Sequence, residues 1–252
     1  MTMAERPYLA RAAEALGEGQ ELLSEVLEQL DGLRERLQRA EFEVEAVTRA
    51  TPRAPMDDEG LEGTLVGELA SVASRVSSDL GATKDARIEL WAGISGANER
   101  LWNASVWVGA AEMSGEAVSE DEAQALATVH EALTSSITRV AAARKGLRAM
   151  DVSVAHAETF LAVSRSSLDT LQAGGRGAAL YLSAGLSGVR GVSESTADAR
   201  MDVRGATSRL DELERDIDGM GQTRTGEAAA RRTRGDDRGR PLRVIKGGGP
   251  HL

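Results

Sequence analysis

The sequence predicts an all-α protein: an elongated antiparallel helical bundle or coiled coil with a disordered basic C-terminal tail. Two observations support this fold class. Ala, Leu, Glu and Arg, which favour helices, are abundant, whereas aromatic residues make up only 3% of the 252 residues. Large apolar residues also recur at heptad spacing over several long segments, which places them on one face of a helix.

The first predicted element is an N-terminal heptad helix over residues 1–50. Apolar residues at seven-residue intervals extend from Leu16 to Val44, and a second series lies three residues further along. Residues 51–58 form a Pro-rich linker with two prolines. Proline has no backbone N–H and disfavours helical geometry in the residue before it, so we expect the helix to end there.

Residues 59–173 are predicted to form a helical bundle that includes a long central heptad helix. We expect a first helix to end at Gly81 and a second to begin with Thr83 as its cap, so that the two form a hairpin with a very short turn. The long helix follows, and Ser119 and Glu122 have the spacing of a capping box at its start.

The heptad seam of the long helix combines a row of large side chains with a row of small ones. Seven successive a positions, from Leu126 to Leu168, are large and apolar, whereas the d positions between Ser136 and Ser164 are mostly small. Small residues let two helices approach closely. This pattern therefore predicts an intramolecular or antiparallel partner.

The C-terminal third divides into three predicted parts. Residues 174–192 are rich in glycine and fit either a hinge or a weak helix. Residues 193–220 form a C-terminal heptad helix, and residues 221–252 lack an apolar period and form the disordered basic tail. From residue 221 onward there are eight basic and three acidic residues, a net charge of +5, so the rest of a chain of net charge −10 carries −15. This asymmetry favours a charged partner for the tail.

The residue inventory argues against an enzyme. Cysteine is absent, and the sequence contains neither a phosphate-binding glycine loop nor a GxSxG nucleophile motif. His130 and His156 fall at e and c positions of the long seam, where they point to solvent and lack the spacing of a helical zinc pair. We therefore predict no catalytic residues, no cofactor and no metal. We also expect a cytoplasmic protein without a membrane span, although the sequence leaves open export without a Sec signal.

The leading functional hypothesis is a non-enzymatic structural or interaction protein. Its helices would pair with one another or with a protein partner, and its basic tail would engage a partner. The candidate interaction residues are the three tryptophans and the tail's basic residues: Trp91, Trp102, Trp107, Arg231, Arg232, Arg234, Arg238, Arg240, Arg243 and Lys246. The tryptophans are expected to be core or interface residues.

Two alternatives remain open from the sequence. The first is a helical trafficking or packing module of an exported bacterial effector of the type VII kind. The triplet Trp91-Ala92-Gly93 has the WxG form of small type VII substrates, but it lies inside a periodic stretch, whereas theirs lies in a turn. The second is weak nucleic-acid contact by the Arg-rich tail. A ratio of 27 Arg to 3 Lys suggests a bacterial source with a GC-rich genome.

Overall fold

The computed structural model describes residues 6–50, 59–116, 119–169 and 174–236. Within these ranges the side chains of 59–63, 65, 169, 174–177 and 218–236 are not described. The described chain consists of four helices and contains no strand: α1 (Pro7–Ala50), α2 (Glu59–Ser114), α3 (Glu120–Asp169) and α4 (Gly174–Asp236). No described helix has a stretch apolar enough to cross a bilayer.

The four helices form an antiparallel bundle. α1 packs against α2 and α4, and α3 packs against the same two helices from the other side. In every neighbouring pair, the residue number rises along one helix as it falls along the other. Between α1 and α2 this is shown by Arg75–Glu43 and Arg100–Glu18, and between α2 and α3 by Arg87–Asp151 and His130–Glu112. Between α1 and α4 it is shown by Arg190–Glu45 and Arg200–Asp31, and between α3 and α4 by Ser164–Ala178 and His156–Ser187. The predicted fold class is confirmed.

The heptad seams line the interior of this bundle. The predicted a positions from Leu126 to Leu168 are all buried, as are the positions at seven-residue intervals from Leu16 to Val44 in α1. Burying a Leu or Val side chain contributes about 1.5–3 kcal/mol, so these rows supply most of the driving force for folding. The seams are therefore satisfied within one chain.

Buried hydroxyls in the seams have hydrogen-bond partners. Ser136 Oγ donates to the Ala132 carbonyl at 3.0 Å within α3. Ser164 Oγ crosses to α4 and donates to the Ala178 carbonyl at 2.9 Å. Because a satisfied hydroxyl costs little to bury, serine fits at a d position where a larger apolar residue would hold the helices apart.

Glu116 in the α2–α3 connection and Glu122 in the first turn of α3 fix the start of α1. The buried Glu116 carboxylate accepts hydrogen bonds from the backbone N–H groups of Tyr8 at 3.1 Å and Leu9 at 3.2 Å. Arg6, only 2% exposed, pairs with Glu122 at 3.0 Å. The first N–H groups of a helix lack partners within the helix, and carboxylates stabilise that positive end. Glu116 thus caps α1 from a distant part of the chain.

The predicted cap of α3 is confirmed. The Glu122 backbone N–H donates to Ser119 Oγ at 3.2 Å, the first half of a capping box. The turn before it uses Gly115, whose φ of 72° lies in the left-handed region that glycine adopts without strain. α2 therefore ends at a glycine, and α3 begins at a serine cap.

The predicted hairpin at Gly81 and Thr83 is wrong, because α2 continues through both residues. Thr83 is buried, and its hydroxyl donates to the Asp79 carbonyl one turn back at 2.7 Å, as it does inside a helix. Leu80 and Leu90 both lie in the core. A glycine costs a helix only about 1 kcal/mol, which the packing on either side exceeds.

Residues 174–192, which the sequence left as hinge or weak helix, belong to α4, and so does the predicted helix 193–220. Gly185, Gly188 and Gly191 in this stretch face α3. A Cβ on Gly188 would lie 2.6 Å from Ala157 N and 2.7 Å from Ala157 Cα. The glycines therefore allow α4 to approach α3 closely, and α4 is the intramolecular or antiparallel partner that the small d positions predicted.

The C-terminal tail is described only in part. α4 runs to Asp236 and so includes the backbone of residues 221–236, the first half of the predicted tail. Residues 237–252 lie outside the described residues, as does the linker at 51–58. At 63 residues, α4 is 13 residues longer than α3, which has 50.

Candidate interaction surface

The three tryptophans of α2 do not come together into one site. Trp91 and Trp107 are half-buried, whereas Trp102 is 56% exposed. α2 positions them differently around its axis: Trp91 lies on the side of α3, Trp107 on the side of α1, and Trp102 points away from the bundle. Trp102 is therefore the tryptophan available to a partner.

Trp107 packs on the first turns of α1. Its ring stacks on Tyr8 with the centroids 6.0 Å apart, and the Arg11 guanidinium lies 4.8 Å from the ring centroid. Aromatic stacking and a cation over an indole each contribute about 0.5–1.5 kcal/mol. These contacts give Trp107 a structural role between α1 and α2.

Trp91 has a similar role against α3. The guanidinium groups of Arg144 and Arg148 lie 4.8 Å and 5.2 Å from its ring centroid. Two cations over one indole cover the ring and leave little of it for another molecule. Trp91 therefore links α2 to α3.

The predicted basic interaction residues are only partly placed. Arg231, Arg232 and Arg234 lie on the last turns of α4, and their side chains are not described. Arg238, Arg240, Arg243 and Lys246 lie outside the described residues. The structure therefore describes the surroundings of the three tryptophans, whereas the role of the basic tail stays a hypothesis from sequence.

α2 carries a second heptad seam on its outer side, which the sequence analysis missed. Spacings of four and three alternate along it, as they do along the core seam on the opposite side. Its largest members are strongly exposed: Ile88 at 64%, Trp102 at 56%, Val106 at 58% and Met113 at 87%. We call this set the outer seam: Ile88, Ala92, Ser95, Glu99, Trp102, Val106, Gly109 and Met113.

The outer seam is poor in charge. Glu99 is its single charged residue, and the eleven residues from Leu101 to Ala111 contain none. The outer side of α1 is the opposite, since Glu14, Glu21 and Glu28 repeat every seven residues and are exposed, followed by exposed Glu35. Exposed apolar residues that are scattered singly need no explanation, whereas Ile88, Trp102, Val106 and Met113 lie along one line of a charge-poor face.

A groove of about 640 Å³ lies between α1 and α2 on another part of the surface. Gly32, Ala82 and Ala86 leave the space, and acidic side chains including Glu25 and Asp85 surround it. Its walls offer no nucleophile or histidine. We assign no ligand to this groove.

The two described histidines have partners on the surface. His130 Nδ1 lies 4.0 Å from a Glu112 carboxylate oxygen, and His156 Nε2 lies 3.2 Å from Ser187 Oγ. Among the described residues, no three His, Asp or Glu side chains are grouped in a way that could hold a metal ion. The histidines connect neighbouring helices at the bundle surface.

Asp202 on α4 is the described group with a perturbed pKa. Burial against α3 raises the pKa of this carboxyl, and the nearby Asp198 raises it further, while Arg139 acts in the opposite direction. Removing a carboxylate from water disfavours its charged form. The perturbation arises in the α3–α4 contact and not at the outer seam.

Neither a protein-family model nor a curated protein sequence matches the chain. The outer seam is therefore characterised by its own geometry and chemistry. The outer seam could have been found from the sequence by testing α2 for a second heptad register after its core register had been assigned.

Proposed function

We propose that the protein is a non-enzymatic interaction protein whose helical bundle presents the outer seam of α2 to a protein partner. One observation carries the proposal: Ile88, Trp102, Val106 and Met113 form an exposed apolar row in heptad register on a charge-rich protein. Heptad rows of this kind pack against other helices. The core seams are occupied inside the bundle, whereas the outer seam is exposed and accessible to another protein.

Trp102 is the expected centre of the contact. Tryptophans near the middle of an interface often contribute more binding energy than any other residue. Trp102 lies between Ile88 and Met113, and its exposed ring has Val106 one turn away on the same side. The other two tryptophans pack against side chains of the same chain, so Trp102 is the tryptophan expected to contact the partner.

A photoreactive amino acid placed at Met113 tests this proposal in the cells that make the protein. We expect light to produce a covalent adduct with a protein at Met113, and replacement of Trp102 by Ala in the same chain to reduce its yield. The matched control is a photoreactive residue at Glu35, which is exposed on α1 and outside the seam. Equal adducts at both positions, or none at Met113, would refute the proposal.

The basic C-terminal segment is a second proposed contact. Its net charge of +5 next to a body of −15 suits an anionic partner such as nucleic acid or an acidic protein. The full chain and a variant with Arg231, Arg232 and Arg234 changed to Gln are compared in a gel-shift titration at low and high salt. We expect the variant to bind nucleic acid more weakly at low salt. Equal binding by the two proteins would exclude these arginines.

A further inference from the structure

We infer that the α2–α3 face of the bundle has a binding site for a phosphate group, formed by Arg144 and Arg148 of α3 beside Trp91 of α2. The inference goes beyond the proposed function, because it concerns a small anionic ligand and not a protein partner. Both guanidinium groups lie against the same indole, at 4.8 Å and 5.2 Å from its centroid. Two like charges four residues apart on one helix repel each other, and an anion bound between them offsets that repulsion.

The two guanidinium groups have no carboxylate partner among the described residues. The neighbouring carboxylates of α3 are already engaged, because Asp151 pairs with Arg87 at 2.6 Å and Glu158 pairs with Lys84 at 2.6 Å. Along α3, the stretch from Ala132 to Met150 contains four basic residues and no acidic one. A protein of net charge −10 therefore carries a local surplus of positive charge on this face.

Two buried polar atoms of α2 lack partners on either side of Trp91. Arg87 precedes Trp91 by one helical turn and Ser95 follows it by one turn, so the three side chains form a row along the helix. The Arg87 Nε and Ser95 Oγ atoms are buried and have no hydrogen-bond partner among the described residues. Buried polar atoms are normally paired with protein, ordered water or ligand. These atoms add hydrogen-bonding capacity beside the two guanidinium groups of α3.

The chemistry of these donors suits a tetrahedral oxyanion. A guanidinium that lies against an aromatic ring still presents N–H groups at its edge, and arginine binds phosphate through two parallel N–H groups. A phosphomonoester carries a charge of about −1.5 to −2 at pH 7, which matches two guanidinium groups. Arg148 is exposed and Arg144 is half-buried, so a phosphate group attached to a larger molecule can also reach the site.

A phosphate titration of the full-length, ¹⁵N-labelled protein tests the site by NMR. The chain contains three tryptophans and therefore gives three indole N–H signals, which single Trp→Phe variants assign. We expect sodium phosphate to shift the Trp91 signal saturably, with a dissociation constant at least about tenfold lower than for chloride at equal ionic strength. Trp107 is the internal control, because the single guanidinium of Arg11 lies over its ring.

Substitutions at the two arginines separate binding from a structural role. Arg144→Gln and Arg148→Gln should each raise the dissociation constant about tenfold or more, because each removes charge-assisted hydrogen bonds. Arg144→Lys keeps the charge but loses the paired N–H groups, so we expect it to bind phosphate with intermediate affinity. The matched control is Arg165→Gln, which removes the same charge from α3 about 25 Å along the helix from Arg148, where salt screens it.

The outcomes distinguish a binding site from two contacts that only hold α2 against α3. If the contacts are only structural, phosphate and chloride will affect the Trp91 signal alike, and the inference fails. Equal shifts at Trp91 and Trp107, or a phosphate shift that survives both Gln substitutions, would also overturn it. The wild-type titration decides the first of these outcomes even where a variant fails to fold.

Glycerol phosphate in place of inorganic phosphate identifies the source of the phosphate group. Binding at least as tight as that of inorganic phosphate supports a site for a phosphomonoester, and weaker binding supports a site for free phosphate. If neither compound shifts the Trp91 signal more than chloride does, the site does not exist.

Discussion

Replacement of Gly188 by Ala should destabilise the protein, although Ala is the better helix former. A new Cβ at Gly188 would lie 2.6 Å and 2.7 Å from the backbone N and Cα of Ala157 and 2.8 Å from its Cβ. Ordinary contacts of a Cβ begin at 3.4 Å. Because backbone atoms cannot rotate away, α3 and α4 must separate locally by roughly 0.8 Å, which weakens the dispersion contacts between them.

The magnitude follows from two opposing effects. Gly→Ala inside a helix gains about 1 kcal/mol. Overpacking a close contact costs about 1–3 kcal/mol, and contact with backbone belongs in the upper part of that range. We therefore expect Gly188→Ala to lower the free energy of unfolding by about 1–2 kcal/mol. The matched control is Gly81→Ala, whose Cβ meets nothing within 4 Å, so only the gain of about 1 kcal/mol remains.

Urea denaturation followed by circular dichroism at the helix band measures both variants. The expected result is opposite signs, with the two variants about 2–3 kcal/mol apart. A Gly188→Ala protein as stable as Gly81→Ala would show that α4 does not approach α3 closely. A destabilised Gly81→Ala would show that α2 is broken at Gly81, as a helix-ending glycine at positive φ would require.

Two further predictions concern the carboxylates of Glu116 and Asp202. Glu116→Ala should lower the free energy of unfolding by about 2–3 kcal/mol in urea denaturation, because the buried N–H group of Leu9 and the partly buried N–H group of Tyr8 lose their charged acceptor. The exposed Glu120→Ala is the control, and an equal loss in both would contradict the capping role. Asp202→Asn should gain stability relative to the wild type as the pH rises from about 4 to 7. The pKa of Asp202 is higher in the folded than in the unfolded state, so ionisation of this carboxyl lowers the stability of the wild type once the pH exceeds the unfolded pKa. Exposed Asp216→Asn controls for the loss of one charge, and a constant difference between Asp202→Asn and wild type across this pH range would contradict the assignment.

The candidate site was predictable only in part. The sequence analysis selected Trp102 together with Trp91 and Trp107, but nothing local distinguishes an exposed tryptophan from one covered by Arg144 or Tyr8. These covering residues come from other helices, far away in the chain. The outer seam around Trp102 has the same spacing as the core seam, and its exposure became clear only with the positions of the neighbouring helices.

The sequence by itself determined the all-α class, the buried row from Leu126 to Leu168 and the cap at Ser119, and it predicted an intramolecular or antiparallel partner for α3. These features depend on residue spacing within one helix, which heptad periodicity records directly. Only the tertiary structure decided that Gly81 lies inside a continuous helix and that Gly188 allows close packing. The physical reason is that a glycine ends a helix, weakens it or admits a neighbour according to what lies beside it, and that neighbour belongs to a distant part of the chain.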